Sequence, residues 1–203
     1  MHIRKSTMDV YDIQHQSEWA TIALREWTRD PAPERGPIYC GEILIHSSYG
    51  AWAYTWTSCG SPFRTFLAEI DFGYAFSKFM GHGLREFDAN ASLAAIQRKI
   101  IELRRSRDIS GKTARMAYAC VDNKADYIDN ISEFITACDD IRSELQADDT
   151  PEPALIALFV DPWDSEFTRH RSNPSAVAFW NKLWGPFIDA LKSEQTDTAG
   201  APA

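Results

Sequence analysis

Apolar and polar positions alternate along the first third of the chain and then fall into helical spacing for most of the rest. Met8 to Ile13 predicts an opening strand. Across Ser17–Trp27 two periods compete. Ala20, Ala23, Leu24 and Trp27 fit one helical face, whereas alternation sets Trp19, Thr21, Ala23, Arg25 and Trp27 against Ala20, Ile22, Leu24 and Glu26. The strand is preferred, because tryptophan and β-branched residues favour pleated backbone and a proline-rich turn follows. That turn, residues 30–37 with Pro31, Pro33 and Pro37, suits neither a helix interior nor a central strand. Tyr39–Ser48 and Trp52–Thr57 predict a central hairpin, joined through Ser48-Tyr49-Gly50-Ala51 with the glycine that tight turns commonly need.

Past Cys59-Gly60-Ser61-Pro62 the period changes. Phe63, Phe66, Leu67 and Ile70, then Phe72, Phe76, Phe79 and Met80, are helically spaced, and Pro62 suits the first turn of a helix beginning after Ser61. Further helices are predicted from Ser92 to about Arg105, from an N-cap at Ser110 through Cys120, and from about Tyr127 to Leu145. Residues 148–153 read as a surface linker. Ala154–Val160 is an uninterrupted apolar run, either a buried strand or a short element closing the core. Ser175–Lys192 predicts a final amphipathic helix in which Pro186 starts a new turn or a kink. The sum is a single α+β domain over residues 1–195, a small N-terminal antiparallel sheet packed against four or five helices. Residues 196–203, small and polar, read as a disordered tail.

Composition narrows the function classes. The chain has 203 residues, 44% hydrophobic, enough for a substantial core, and a net charge of −8. That balance argues against a face for duplex nucleic acid, and the interspersed cations argue against imitation of one. No apolar run approaches the roughly 20 residues that span a bilayer, so no membrane association is expected. Met1–Thr7 is charged and then polar, unlike a signal peptide, which points to the cytoplasm. There Cys40, Cys59, Cys120 and Cys138, with no CxxC or Cys/His spacing, are expected as reduced thiols. No metal and no cofactor is implied: Glu69 with Asp71, or Asp122, Asp126 and Asp129, lack the partners and spacing of a metal site.

Candidate chemistry concentrates in the hairpin. His46 with Ser48 or Cys59 is the nearest approach to a base and nucleophile, although a triad needs a third, orienting group and no nucleophile elbow occurs. A structural or ligand-contacting role for His46 is preferred to a catalytic one. Trp52, Tyr54 and Trp56 have period two, so their rings share one strand face. They are either the floor on which helices pack or a platform that stacks a nucleotide-like ligand. Arg64 and Lys78, on the following helices, could place positive charge beside it. Arg98, Lys99, Arg104, Arg105 and Arg107 form the one basic concentration, fitting either a phosphate or the macrodipole of a helix C-terminus.

Over Gly41–Gly50 (GEILIHSSYG) with the following Trp52 and Trp56, over the helix start Phe63–Leu67, and again over Pro174–Lys192 (PSAVAFWNKLWGPFIDALK), the chain resembles uncharacterised accessory proteins of tailed bacteriophages and prophages. The resemblance carries no activity. It implies a protein acting in a bacterial host cell. The expectation is a non-enzymatic accessory protein that binds a host protein or a small nucleotide-like ligand and modulates a host process such as defence. Its binding residues would be His46, Ser48, Tyr49, Trp52, Tyr54, Trp56 and Arg64. The alternatives are a small hydrolase or transferase using His46 with Ser48 or Cys59, and a virion structural or assembly protein.

Overall fold

The computed structural model describes residues 1, 3–30, 36–147, 152–160 and 166–199, with side chains described as far as residue 195. It has the predicted α+β arrangement. The proline-rich residues 31–35, and residues 148–151 of the expected linker, lie outside the described residues. Contacts gather into two compact units, one made of Met1–Leu84 with Ser172–Ala203 and the other of Arg85–Arg171. The sequence has no composition break at either boundary, which is why it reads as a single domain.

In the first unit four antiparallel strands pair in chain order: β1 (Asp9–His15), β2 (Glu18–Arg29), β3 (Ile38–Ser47) and β4 (Gly50–Trp56). The alternating reading of β2 is the one realised: Ala20, Ile22 and Leu24 are buried, while Thr21, Ala23 and Arg25 point the other way. In β3, Ile43, Ile45 and Ser47 are buried and Leu44 and His46 are exposed. The hairpin turns tightly, with only Ser48 and Tyr49 between the paired Ser47 and Gly50. Ser47 Oγ closes it, accepting from the Tyr49 N–H at 3.2 Å and donating to the Gly50 carbonyl at 2.8 Å.

The inner face of this sheet receives α1 (Phe63–Glu69), α2 (Phe72–Met80) and a long C-terminal helical run. The apolar faces predicted for them bury Phe63, Leu67, Phe76, Leu183, Phe187 and Leu191 against Ile22, Ile43 and Ile45, and Phe179 joins them. Gly41 is where α1 meets β3. A Cβ there would stand 2.1 Å from the Phe63 ring, so only glycine admits this approach. The C-terminal run is α7 (Pro174–Phe179), a π turn (Trp180–Trp184) and α8 (Gly185–Ala199). The predicted disruption at Pro186 takes the form of that π turn. Proline has no N–H for the carbonyl four residues back, and the wider turn makes room for its ring. Helical backbone reaches Ala199, so the first part of the expected tail continues α8; residues 200–203 lie outside the described residues.

The second unit opens with β5 (Arg85–Phe87), which pairs with β6 (His170–Ser172) where the chain leaves it. Between them come α3 (Ala89–Ser106), α4 (Gly111–Lys124), α5 (Ile131–Gln146) and α6 (Pro153–Ile156). Each long helix starts at a side-chain cap. Asp88 accepts from Ala91 N at 2.9 Å, Ser110 from Thr113 N at 3.1 Å, and Asn130 from Glu133 N at 3.0 Å. The Asn130 cap explains why α5 begins after the predicted Tyr127, which sits in a short 3-10 turn. Ala154–Val160 is helical rather than a strand: Pro153 occupies the first turn of α6, and a 3-10 turn at Ala157–Phe159 continues it. Leu155 and Phe159 join Ile96, Ile100, Val121, Phe134 and Ile141 in this unit's core.

Candidate functional site

The seven residues expected to bind divide among three environments. Trp52, Tyr54 and Trp56 lie on the inner face of β4, opposite Ile45, Ile43 and Gly41. Trp52 packs edge-on to Phe76 at 5.2 Å and Phe179 at 5.1 Å. Trp56 is buried, its indole N–H donating to the Tyr74 hydroxyl at 3.2 Å. Tyr54 packs against Trp56 at 4.7 Å, with Lys78 Nζ 5.8 Å from its ring centre. The ladder therefore serves as the floor for α1, α2 and α7.

His46 and Ser48 lie on the outer face or at its end. The His46 ring meets Trp19 edge-on at 4.9 Å. Ser48 Oγ donates to Glu18 Oε2, a bond that holds the Glu18 carboxyl below the usual carboxylate range. Ser48 Oγ is thus turned to a carboxylate and not to the imidazole, and burial pushes the Cys59 thiol up to about 11. Neither hydroxyl nor thiol is activated as a nucleophile by these contacts. Tyr49, at the turn, is half-buried with Lys182 Nζ 5.6 Å from its ring centre.

Arg64, third, ties α1 to β1, β2 and α8. Its Nη1 donates to the Tyr11 hydroxyl at 2.6 Å and to Glu194 Oε2 at 2.7 Å, its Nε to Glu26 Oε1 at 3.2 Å, and its Nη2 to Asp9. The Tyr11 hydroxyl donates in turn to Glu194 Oε2 at 2.8 Å. Burial opposes the charge on Arg64, but Tyr11 and Glu26 outweigh it and hold the guanidinium above its ordinary value. Four of its five N–H donors are directed at protein oxygens, the arrangement of a structural clamp.

What the outer face offers instead is a surface. Strand register sets Val10, Ala23, Leu44 and Ala53 in one apolar row crossing all four strands. Val10 is 58% exposed, and Leu44 and Trp19 are each 40% exposed. The row on one side is Asp12, Thr21, His46 and Ala51, with Thr21 Oγ1 donating to Asp12 at 2.8 Å. On the other side Arg25 pairs with Glu42 at 2.7 Å and lies over the Trp27 ring at 5.2 Å. There Arg4, Lys5, Ser6 and Thr7 join Arg25 and Trp27 around a shallow groove of about 680 Å³. Of this face the sequence reading singles out His46 and Ser48 alone. The alternation that sent Ile43 and Ile45 inward also marks Leu44, Ala23 and Val10 as outward-facing, and that was the available signal.

Among the described residues no group of three or more His, Cys, Asp or Glu side chains is placed to hold a metal ion, and no helix is long and apolar enough to cross a membrane. Over residues 1–190 the chain matches the model of a family described as a phage family, Phage_phiTE_072. No curated protein and no solved structure matches it.

Proposed function

We propose, from the premise that the chain belongs to this phage family, that it is a non-enzymatic accessory protein which binds a host protein through the outer face of its four-stranded sheet. One observation carries the reading: the row Val10–Ala23–Leu44–Ala53 is apolar across every strand, yet its two large members are left exposed. A free antiparallel sheet face normally alternates to polar residues. An apolar centre rimmed by charge, here Asp12 on one side and the Arg25–Glu42 pair on the other, has the anatomy of a protein interface. Trp19 and His46 at the rim supply the aromatic contacts such interfaces favour. A small nucleotide-like ligand on the Trp52/Tyr54/Trp56 ladder is not part of this reading, because those rings are engaged with α1, α2 and α7.

The test is affinity capture from host-cell lysate with the wild-type protein and with Leu44→Asp. Leu44 is exposed, so the variant keeps its melting temperature. A host protein retained by the wild type and lost in Leu44→Asp supports the reading. Equal retention by both, or recovery of the protein as a stoichiometric component of purified virions, overturns it.

A further inference from the structure

Between residues 98 and 115 this acidic chain reverses sign. Seven cations, Arg98, Lys99, Arg104, Arg105, Arg107, Lys112 and Arg115, stand against two carboxylates, Glu102 and Asp108. Lys99 is paired, to Glu102 at 3.8 Å and Glu166 at 3.5 Å. The other six are exposed and make no ion pair among the described residues. Local helix electrostatics do not account for all of them. Arg104 and Arg105 suit the C-terminus of α3, but Lys112 lies in the first turn of α4, where the macrodipole disfavours a cation. Glu152 accepts from the Ser110 N–H at 2.9 Å and the Thr113 hydroxyl at 2.9 Å and makes no ion pair with Lys112.

Beside these cations runs an apolar groove. Ala91, Ala94, Gln97, Arg98 and Ile101 of α3 and Tyr118 of α4, with Arg169, enclose about 430 Å³. Ile101 is 40% exposed and Tyr118 39%, in a unit whose own core is closed without them. Helical spacing sets Arg105 one turn beyond Ile101 and Arg115 one turn before Tyr118, so unpaired arginines follow the apolar floor on both helices.

We infer that the α3–α4 face docks an acidic amphipathic segment of a partner protein. Its apolar stripe lies over Ile101 and Tyr118, and its carboxylates meet Arg98, Arg105 and Arg115. The inference does not rest on the outer face of the sheet, which belongs to the other compact unit. Charge complementarity selects the acidic partner, since Arg offers paired donors matched to a carboxylate. The floor selects a peptide over a nucleic acid. Alanine and isoleucine pack against side chains, whereas single-stranded nucleic acid is held on aromatic platforms, and Tyr118 is the one ring here.

The experiment titrates the 203-residue chain into a fluorescein-labelled peptide of about 16 residues with leucine on one helical face and glutamate on the other. The controls are a scrambled peptide of the same composition and a labelled oligothymidylate. The expected result is saturable binding to the amphipathic peptide that weakens about tenfold in Arg98→Gln/Arg105→Gln and in Ile101→Asp, all at exposed positions, and weakens with salt. Equal affinity for the scrambled peptide, tighter binding of the oligothymidylate, or no binding overturns it. So does concentration-dependent self-association of the protein, measured by sedimentation and abolished by the same variants, which would assign the face to a second copy.

Discussion

Trp52 and His46 sit on neighbouring strands, one residue of register from being direct partners, yet they occupy opposite environments. Trp52 is opposite Ile45 and packs between Phe76 and Phe179; His46 is opposite Ala51 and meets only the edge of Trp19. Both faces carry apolar and aromatic residues, the inner face more of them. The inner face interlocks with helices, and the outer face carries one apolar row whose large members stay exposed. Parity along the strand assigns each residue to its face, and the covering layer of helices decides which apolar residues are buried.

The sharpest way to break that contrast is to remove an inner ring. Trp56 is 4% exposed and touches Tyr54, Phe63, Phe66 and Phe79. Trp56→Ala deletes most of those contacts and leaves a cavity, which should cost about 4 kcal/mol in urea unfolding. A loss under about 1 kcal/mol would mean the ladder is not the floor of the core. Next in size is Gly41→Ala. Its new methyl would lie 2.1 Å from the buried Phe63 ring, forcing α1 away from β3 at a cost of about 2 kcal/mol. Near-wild-type stability there would show that α1 shifts freely over the sheet.

Strand parity was legible from the chain itself. The alternation of Ile43, Leu44, Ile45 and His46 predicts which side chains share a face, and β2 resolves the same way once its helical alternative is set aside. What lay beyond reach depends on distance in sequence. Arg64 reads as a free cation near the hairpin because Asp9, Glu26 and Glu194, which engage it, are 55, 38 and 130 residues away. The ladder reads as floor in preference to platform, but the platform stays open because only α1, α2 and α7 decide it, and their packing is not written in the strand. Ala154–Val160 carries no period at all. Its helical state follows from Pro153 at the start and from packing against α5, and only the first of these is visible in the sequence. Of the six unpaired cations around α3 and α4, Arg98, Arg104, Arg105 and Arg107 read as a cluster in the sequence, whereas Lys112, Arg115 and the groove beside them did not stand out.

A third, smaller effect separates clamp from site at Arg64. Arg64→Met keeps the aliphatic stem and leaves Asp9, Glu26 and Glu194 unneutralised around Tyr11. Those carboxylates are 66%, 47% and 51% exposed, so water recovers much of their solvation, and the expected loss is about 1–2 kcal/mol. The same variant should speed amide exchange at the C-terminal end of α8, which Glu194 ties to α1, while leaving partner capture unchanged. Lost capture at full stability would return Arg64 to the binding surface.

The smallest effect on stability belongs to the outer face, and it is the most informative about function. His46→Ala and Leu44→Asp alter exposed side chains whose backbone bonds to β2 and β4 do not depend on them. Leu44→Asp also places a charge in the row between Ala23 and Ala53, where water already reaches it. Each change should therefore move unfolding by no more than about 0.5 kcal/mol, the range of ordinary surface substitutions. A docked protein would exclude that water, so a carboxylate at position 44 would be buried without a partner and would weaken binding by about 100-fold or more. His46→Ala removes an edge contact at the rim and should weaken binding about tenfold at most, because rim contacts carry little of an interface's energy. The two variants thus separate the centre of the face from its edge. Equal losses at both positions would move the centre of the interface toward the Trp19–His46 pair, and a large stability loss in Leu44→Asp would mean that this face, too, is covered.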